Sequence, residues 1–113
     1  MIDVTYDRTE HTVIVKGHAY SVSAGEDPVC AGVSALTCTL AAAVENMALA
    51  GNVIDPVTSL NSGYAKISCA SYPNTEAAVI LIFDTLCLGY ALLAQAYPAS
   101  VRLFTTADGM ERR

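Results

Sequence analysis

Cys30 is the residue of this chain best placed to do chemistry. It follows Asp27 and Pro28, a pair typical of a helix start, because Asp caps the first turn and Pro is favoured at the first helical position. Cys30 is then expected at the third helical position, where the positive end of the helix dipole favours a thiolate. His18, twelve residues upstream, is a candidate to take the thiol proton. This pattern indicates a cysteine nucleophile.

The other three cysteines look like small buried hydrophobes. Cys38 and Cys87 lie among apolar helical residues, and Cys69 lies on the inward side of a predicted strand. Their spacing contains no Cys-x-x-Cys metal pattern, so we expect reduced thiols of a cytoplasmic protein. The chain opens on a strand-like segment, and we expect no signal peptide.

The composition favours one domain that associates with itself. The chain has 113 residues, of which 53% are hydrophobic and 15% charged. So many apolar residues are hard to hide in a small monomer, which predicts a homodimer that buries an apolar face. An alanine-rich core is the other explanation. The net charge of −5 argues against nucleic acid as a direct partner.

The longest apolar stretch, residues 77–94, raises the question of a membrane span. Asp84 lies near its middle, and an acidic residue there costs about 2.5–3.5 kcal/mol on insertion scales. The stretch has no Lys or Arg at its ends to anchor it in a membrane interface. We therefore predict a buried helix rather than a membrane span.

Hydrophobic periodicity predicts an α/β (α+β) fold with the order ββαββαβ. Strands are expected over residues 2–6, 11–18, 53–61, 64–72 and 100–106, and helices over 28–50 and 75–96, with Asn74 as the second N-cap. Residues 19–27 form a mobile loop in this scheme, and the tail from Asp108 to Arg113 is frayed. Hairpin strands between two helices predict a two-layer sandwich with a mostly antiparallel sheet.

Strand alternation raises a difficulty for the proposed pairing of His18 with Cys30. Val13 and Val15 share one face of their strand, and His18 falls on the opposite face. If the valines face the helix, the histidine points away from the cysteine. A bulge at Gly17 would redirect the next side chain.

Two motifs together resemble the signature of the ribosomal-processing cysteine protease family called Prp. They are Gly17-His18-Ala19 and Gly25-x-Asp27-x-x-Cys30-Ala31-x-Val33-Ser34-Ala35-Leu36. The resemblance also covers the chain length and the order of the elements. The chain departs from the family pattern at two positions. Pro28 stands where the family usually has Ile or Leu, and Gly32 stands where it usually has Ala. Gly at position 32 lowers helix propensity by about 1 kcal/mol.

The resemblance implies an endopeptidase with His18 and Cys30 as catalytic pair. The activity that the resemblance implies is removal of a short N-terminal extension from a large-subunit ribosomal protein. The resemblance also implies a homodimer, a loop over residues 19–27 that admits the substrate, and neither a metal nor an organic cofactor. The whole chain, residues 1–113, would be the single protease domain.

Two other classes of protein fit the same residues. A non-catalytic adaptor would bind a ribosomal protein without cutting it, and a thiol redox sensor would need a resolving cysteine that the spacing does not supply. Asp27 fits a helix cap better than a third catalytic residue. Ser34, one turn after Cys30, either lines the site or bonds back to a helix carbonyl.

Overall fold

The computed structural model describes residues 1–17, 28–107 and 110–112. Its strands are β1 (Ile2–Asp7), β2 (Thr12–Gly17), β3 (Val53–Asn61), β4 (Tyr64–Ser71), β5 (Val101–Ala107) and β6 (Met110–Arg112). Its helices are α1 (Pro28–Leu49), between β2 and β3, and α2 (Glu76–Ala96), between β4 and β5. The predicted order ββαββαβ is confirmed, with one short strand added at the C-terminal end.

The strands form one mixed sheet in the order β3-β4-β2-β1-β5-β6. Every neighbouring pair is antiparallel except β1 and β5, which are parallel. The parallel pair arises because the chain returns through α2 to place β5 beside β1. The predicted mostly antiparallel sheet is therefore confirmed.

One face of the sheet carries the core, and strict alternation in the sequence selects it. Ile2, Val4 and Tyr6 are each at most 2% exposed. Val13 and Val15 on β2 are buried beside them, as are Ala65, Ile67 and Cys69 on β4. Helices α1 and α2 pack side by side on this face, so the fold has two layers.

Helix α2 is buried on one side only, which corrects the prediction of a buried helix. Its inner side chains are Val79, Phe83, Cys87 and Tyr90. Its outer side exposes Leu81, Leu88 and Leu92. By length and composition, both helices are long and apolar enough to cross a membrane. In this structure each packs one side on the sheet.

Asp84 is held near the middle of α2 by residues of β1 and the turn after it. Its carboxylate accepts hydrogen bonds from the Tyr6 hydroxyl at 2.8 Å and from the Arg8 guanidinium, whose Nη2 lies 3.1 Å from Oδ2. A carboxylate in this apolar stretch is thus paired with a cation and a hydroxyl, as a partly buried charge requires.

Two predictions about element ends are wrong. The N-cap of α2 is Thr75 rather than Asn74, and the Thr75 hydroxyl accepts a bond from the backbone N–H of Tyr72 instead of capping the helix. The C-terminal tail, expected to be frayed, contains β6 paired with β5. The sequence carried a signal for this hairpin, since Asp108-Gly109 is a preferred two-residue turn.

Candidate active site

The end of β2 has a backbone conformation that only glycine adopts easily. Gly17 has a φ of +104°, and a Cβ at this position would overlap the carbonyl oxygen of Met1. Its N–H donates to the carbonyl oxygen of Gly63 at 3.0 Å, which ties β2 to the turn between β3 and β4. The chain therefore leaves the strand conformation just before residue 18. Gly17 keeps its register with Ile2, so the backbone departs from the strand here through a change of φ and not through a bulge at Gly17, which was one possibility raised by the sequence.

Cys30 lies in the first turn of α1, as the sequence predicts. It is partly buried and packs against the core. Beside it runs an open groove of about 250 Å³ between α1 and the hairpin of β3 and β4. Cys30, Ser34 and Cys38 line the α1 side, because residues four apart in a helix share a face. Leu60 to Ala65 form the opposite wall, and Gly17 lies at the edge.

Thr37, one of the residues that line the groove, is held in place by a pair of buried hydroxyl groups. Thr37 donates to the carbonyl oxygen of Val33 at 2.7 Å, and its oxygen lies 2.7 Å from the hydroxyl of Tyr90 on α2. Tyr90 is therefore the donor to Thr37. Burial raises the pKa of Tyr90 to about 12, so this hydroxyl stays protonated at neutral pH. Both hydroxyl groups are therefore polar and uncharged.

The described residues that line the groove carry no charged side chain. Apolar contacts come from Ile2, Val15, Val33, Leu60 and Tyr64, and the polar ones from hydroxyl, thiol and amide groups. A groove of this kind suits an uncharged segment of a peptide better than a charged one. Within the described ranges, no three His, Cys, Asp or Glu side chains cluster in a way that would hold a metal ion.

The prediction that Cys38 is buried is wrong, whereas the predictions for Cys69 and Cys87 are confirmed. Cys69 and Cys87 are each 5% exposed, and Cys38 is exposed on the groove side of α1. Burial raises the pKa of the Cys69 thiol, and burial with the nearby Asp84 carboxylate raises that of Cys87 to about 12. Cys30 and Cys38 are the two thiols that line the groove.

Helical geometry keeps Cys30 and Cys38 apart. Eight residues along a helix span about 12 Å, whereas the Cα atoms of a disulfide lie within about 7 Å. The two thiols of one chain therefore cannot form a disulfide without unwinding α1. This disfavours the redox-sensor alternative within a single subunit.

Several predicted site residues lie outside the described part of the chain. They are His18, Asp27 and the whole loop of residues 19–27. The second histidine of the sequence, His11, lies at the opposite end of β2, about 20 Å from Gly17. Its Nε2 is 3.2 Å from the Ser71 hydroxyl oxygen, so it belongs to another part of the fold.

The sequence did not reveal the wall formed by the hairpin of β3 and β4. Asn61, Ser62 and Gly63 are a turn signal, and nothing in their local pattern places them across from α1. That proximity comes from the pairing of β4 with β2, which brings Tyr64 opposite Lys16. The Gly17–Gly63 hydrogen bond is the tertiary contact that completes the groove.

A two-layer α+β fold that places a cysteine in the first turn of a helix, beside an uncharged groove, suits a cysteine nucleophile. Comparison with known proteins is more specific: the family model of cysteine protease Prp matches residues 1–102, so the chain belongs to this family. It is a cysteine protease. A search of curated proteins finds no match for the chain.

The chain is also similar to solved structures, among them a protease of this family. The essential ribosomal-processing protease Prp of S. aureus, with a covalently linked product peptide, is 25% identical with a TM-score of 0.74, covering 94% of this chain and all of that one. SMU.848 from Streptococcus mutans is 27% identical with a TM-score of 0.63, over 93% and 91% of the two chains. The same S. aureus protease with a substrate peptide is 23% identical with a TM-score of 0.64, over 93% and 97%, and shares the fold.

Proposed function

We propose that this protease removes the N-terminal extension of a large-subunit ribosomal protein, with Cys30 as nucleophile and His18 as general base and acid. The observation that carries the proposal is Cys30 itself, which lies in the first turn of α1 and on the groove of a Prp-family fold. A related protease from S. aureus is described as ribosomal-processing and holds a covalently linked product peptide. A covalent link to a peptide fits nucleophilic catalysis.

The proposed reaction proceeds through a thioester. Cys30 Sγ attacks the scissile carbonyl carbon while His18 takes the thiol proton and then delivers it to the leaving amine. Water, activated by His18, then attacks the thioester carbon and releases the carboxylic acid product and the thiol. The backbone N–H groups at the start of α1 point along the helix axis and would stabilise the oxyanion.

The groove is the proposed site of the extension on either side of the scissile bond. Its uncharged lining suits apolar and small polar residues of the substrate. The homodimer and the cytoplasmic location predicted from composition and resemblance belong to the same proposal.

The experiment is incubation of the purified protein with the cognate ribosomal protein, followed by mass measurement of the products. We expect one N-terminal cut. Cys30→Ala, Cys30→Ser and His18→Ala should each abolish cleavage, with at least a 100-fold loss of rate for removal of a reacting group. Cys38→Ala is the matched control, since it removes the other thiol of the groove and should still allow cleavage. Cleavage that survives Cys30→Ala would refute the nucleophile assignment.

The same experiment tests the adaptor alternative. An adaptor would retain the ribosomal protein on a column but leave its mass unchanged, for wild type and Cys30→Ala alike. A protease with this site would bind the uncut protein in the Cys30→Ala variant and release two products in the wild type.

A further inference from the structure

The sheet face that the two helices leave open carries half of the chain's basic residues. Helices α1 and α2 cover one face, and alternate residues of each strand turn to the other. Lys16 on β2, Lys66 on β4 and Arg102 on β5 each follow a buried core residue of their strand, so they lie on the open face. The first two are the only lysines of the chain, which has six Lys and Arg residues in all.

The register of the strands brings these cations together with two aromatic rings. Lys16 stands opposite Tyr64 on β4, and its Nζ lies 5.9 Å from the centre of that ring. The guanidinium carbon of Arg102 lies 5.6 Å from the centre of the Phe104 ring on the same strand. We call this surface the basic sheet face and define it by Lys16, Tyr64, Lys66, Arg102 and Phe104.

The basic sheet face is positive although the chain as a whole carries a charge of −5. Asp3 stands between Lys16 and Arg102 in the sheet, and Arg102 binds its carboxylate through Nε at 2.7 Å and Nη2 at 3.1 Å. Neither lysine has an ion pair with a described residue. Asp7, the next acid on this side of β1, lies four residues further along, about 13 Å from Asp3.

We infer that the basic sheet face binds a single-stranded nucleic acid. Lys16 and Lys66 lie diagonally on neighbouring strands, with Cα atoms about 7–8 Å apart, and bind two phosphates of one nucleic-acid strand. Tyr64, which is 39% exposed, and the Arg102 guanidinium over Phe104 offer planes on which bases stack. This binding goes beyond the proposed function and does not depend on the peptidase chemistry.

The total charge argues against a nucleic-acid partner, but the distribution of charge decides where a polyanion can bind. The two ring positions are separated by three strand spacings, about 14 Å, so one extended nucleic-acid strand can contact both. Tyr64 also lines the peptide groove, which places the bound nucleic acid beside it.

Three other partners fit this face less well. An anionic membrane surface is held by clusters of about four to eight Lys and Arg residues, whereas this face has three, and Arg102 is already paired with Asp3. An acidic peptide would pair with the lysines but leave the rings unused. In a duplex the bases are stacked on one another and cannot reach Tyr64 or Phe104.

Fluorescence anisotropy of a labelled oligouridylate of about twelve nucleotides, titrated with the full chain at increasing salt, tests this inference. Two phosphate contacts predict a slope of about −1.4 for log K against log salt, since each contact on a single strand contributes about −0.7. Lys16→Gln and Lys66→Gln should each reduce the slope to about −0.7 and raise Kd about tenfold at ~20 mM salt.

Two further variants separate charge from stacking. Asn52→Asp is the matched control, because it lowers the net charge by the same unit at an exposed position, at the opposite end of β3 from Tyr64, and should keep the wild-type slope and Kd. Phe104→Leu should raise Kd about fivefold or more and keep the slope, because stacking releases no counterion.

Photocrosslinking of the wild type does not depend on any variant folding. An oligonucleotide that contains 4-thiouridine should crosslink to peptides of β4 or β5 that contain Tyr64 or Phe104, as identified by mass spectrometry. Absence of binding at ~20 mM salt, an unchanged slope in both lysine variants, or crosslinks confined to α1 and α2 would overturn the inference. So would equally tight binding of an RNA duplex, an oligoglutamate or anionic phospholipid vesicles.

Discussion

Gly17 links the fold to the site at the scale of a single residue. Val13 and Val15 face the helices, so continued alternation would send residue 18 to the opposite face of the sheet. The positive φ of Gly17 ends that alternation one residue before His18. From the sequence, strand alternation places His18 on the face away from Cys30, and Gly17 is the position that could change this. The backbone conformation shows that the alternation ends at Gly17.

Replacing Gly17 should harm both stability and activity. In Gly17→Ala the new Cβ meets the backbone carbonyl of Met1, which cannot move aside like a side chain, and the φ is unsuited to Ala. We expect a loss of at least 1–2 kcal/mol in the free energy of unfolding, as ~1–3 kcal/mol is typical of such strain, together with loss of cleavage. Thermal unfolding and cleavage rate are measured on the same sample.

Gly51→Ala is the control for that variant. Gly51 has a φ of +80° but no atom within 4 Å of the Cβ position, and it lies at the far end of α1. It should lose stability through strain alone and keep its cleavage rate. Equal effects of the two variants on cleavage would show that Gly17 has no role in placing the site.

Thiol labelling should divide the four cysteines into two pairs. Cys30 and Cys38 line the groove, whereas burial raises the pKa of both Cys69 and Cys87. We expect alkylation at neutral pH to reach Cys30 fastest, because it lies at the start of α1 on the groove, and the exposed Cys38 next. The buried pair should react only in denaturant, because their raised pKa keeps them as unreactive thiols. Mass spectrometry after timed labelling ranks the four. Native labelling of Cys87 ahead of Cys30 would show that the site is misplaced.

At the scale of elements, two glycines set how closely α1 and α2 approach. Gly89 on α2 faces Leu36 of α1, and a Cβ there would come within 2.5 Å of a Leu36 methyl carbon. A Cβ at Gly32 on α1 would lie 3.3 Å from a Leu93 methyl carbon. Gly32, a departure from the family pattern, therefore sits at the helix contact, where an added methyl group has almost enough room.

The two glycines should respond differently to alanine. Gly32→Ala gains about 0.5–1 kcal/mol in helix propensity for a small adjustment of Leu93, so we expect a higher melting temperature. Gly89→Ala gains the same helix propensity, but its new methyl group must displace Leu36. We therefore expect a lower melting temperature than that of the wild type. Thermal unfolding of both variants compares them directly. A higher melting temperature for Gly89→Ala than for Gly32→Ala would mean that the distance between α1 and α2 adjusts freely to an added methyl group.

The elements themselves were largely predictable because each has a strong local pattern. Ile2, Val4 and Tyr6 alternate, and α1 begins at Pro28 and ends before Gly51, as the sequence predicts. The failures depended on non-local facts. The exposure of Cys38 follows from the rotation of α1 on the sheet, and the wall of the groove follows from the pairing of β4 with β2. An apolar helix sequence also does not reveal that only one side of α2 is buried.

At the scale of the whole molecule, buried acids should make the fold sensitive to alkali. Burial raises the pKa of Tyr90 and of Cys87 to about 12, and burial with the Asp84 hydrogen bond raises that of Tyr6. A raised pKa means that the folded state holds a proton that the unfolded state releases. The stability is therefore fully present below the unfolded pKa, about 8.5 for Cys and 10 for Tyr, and is lost as pH rises towards the folded one.

The free energy of unfolding should consequently fall between about pH 9 and pH 12, by about 1.4 kcal/mol per pH unit for each group that is ionised only in the unfolded chain. Urea titrations at neutral pH and at several alkaline values measure the slope. Tyr90→Phe should start less stable, because Thr37 loses its hydroxyl partner, yet lose stability less steeply above pH 10. Parallel slopes for wild type and Tyr90→Phe would show that Tyr90 ionises as readily in the folded protein as in the unfolded chain, which would contradict the burial of its hydroxyl group.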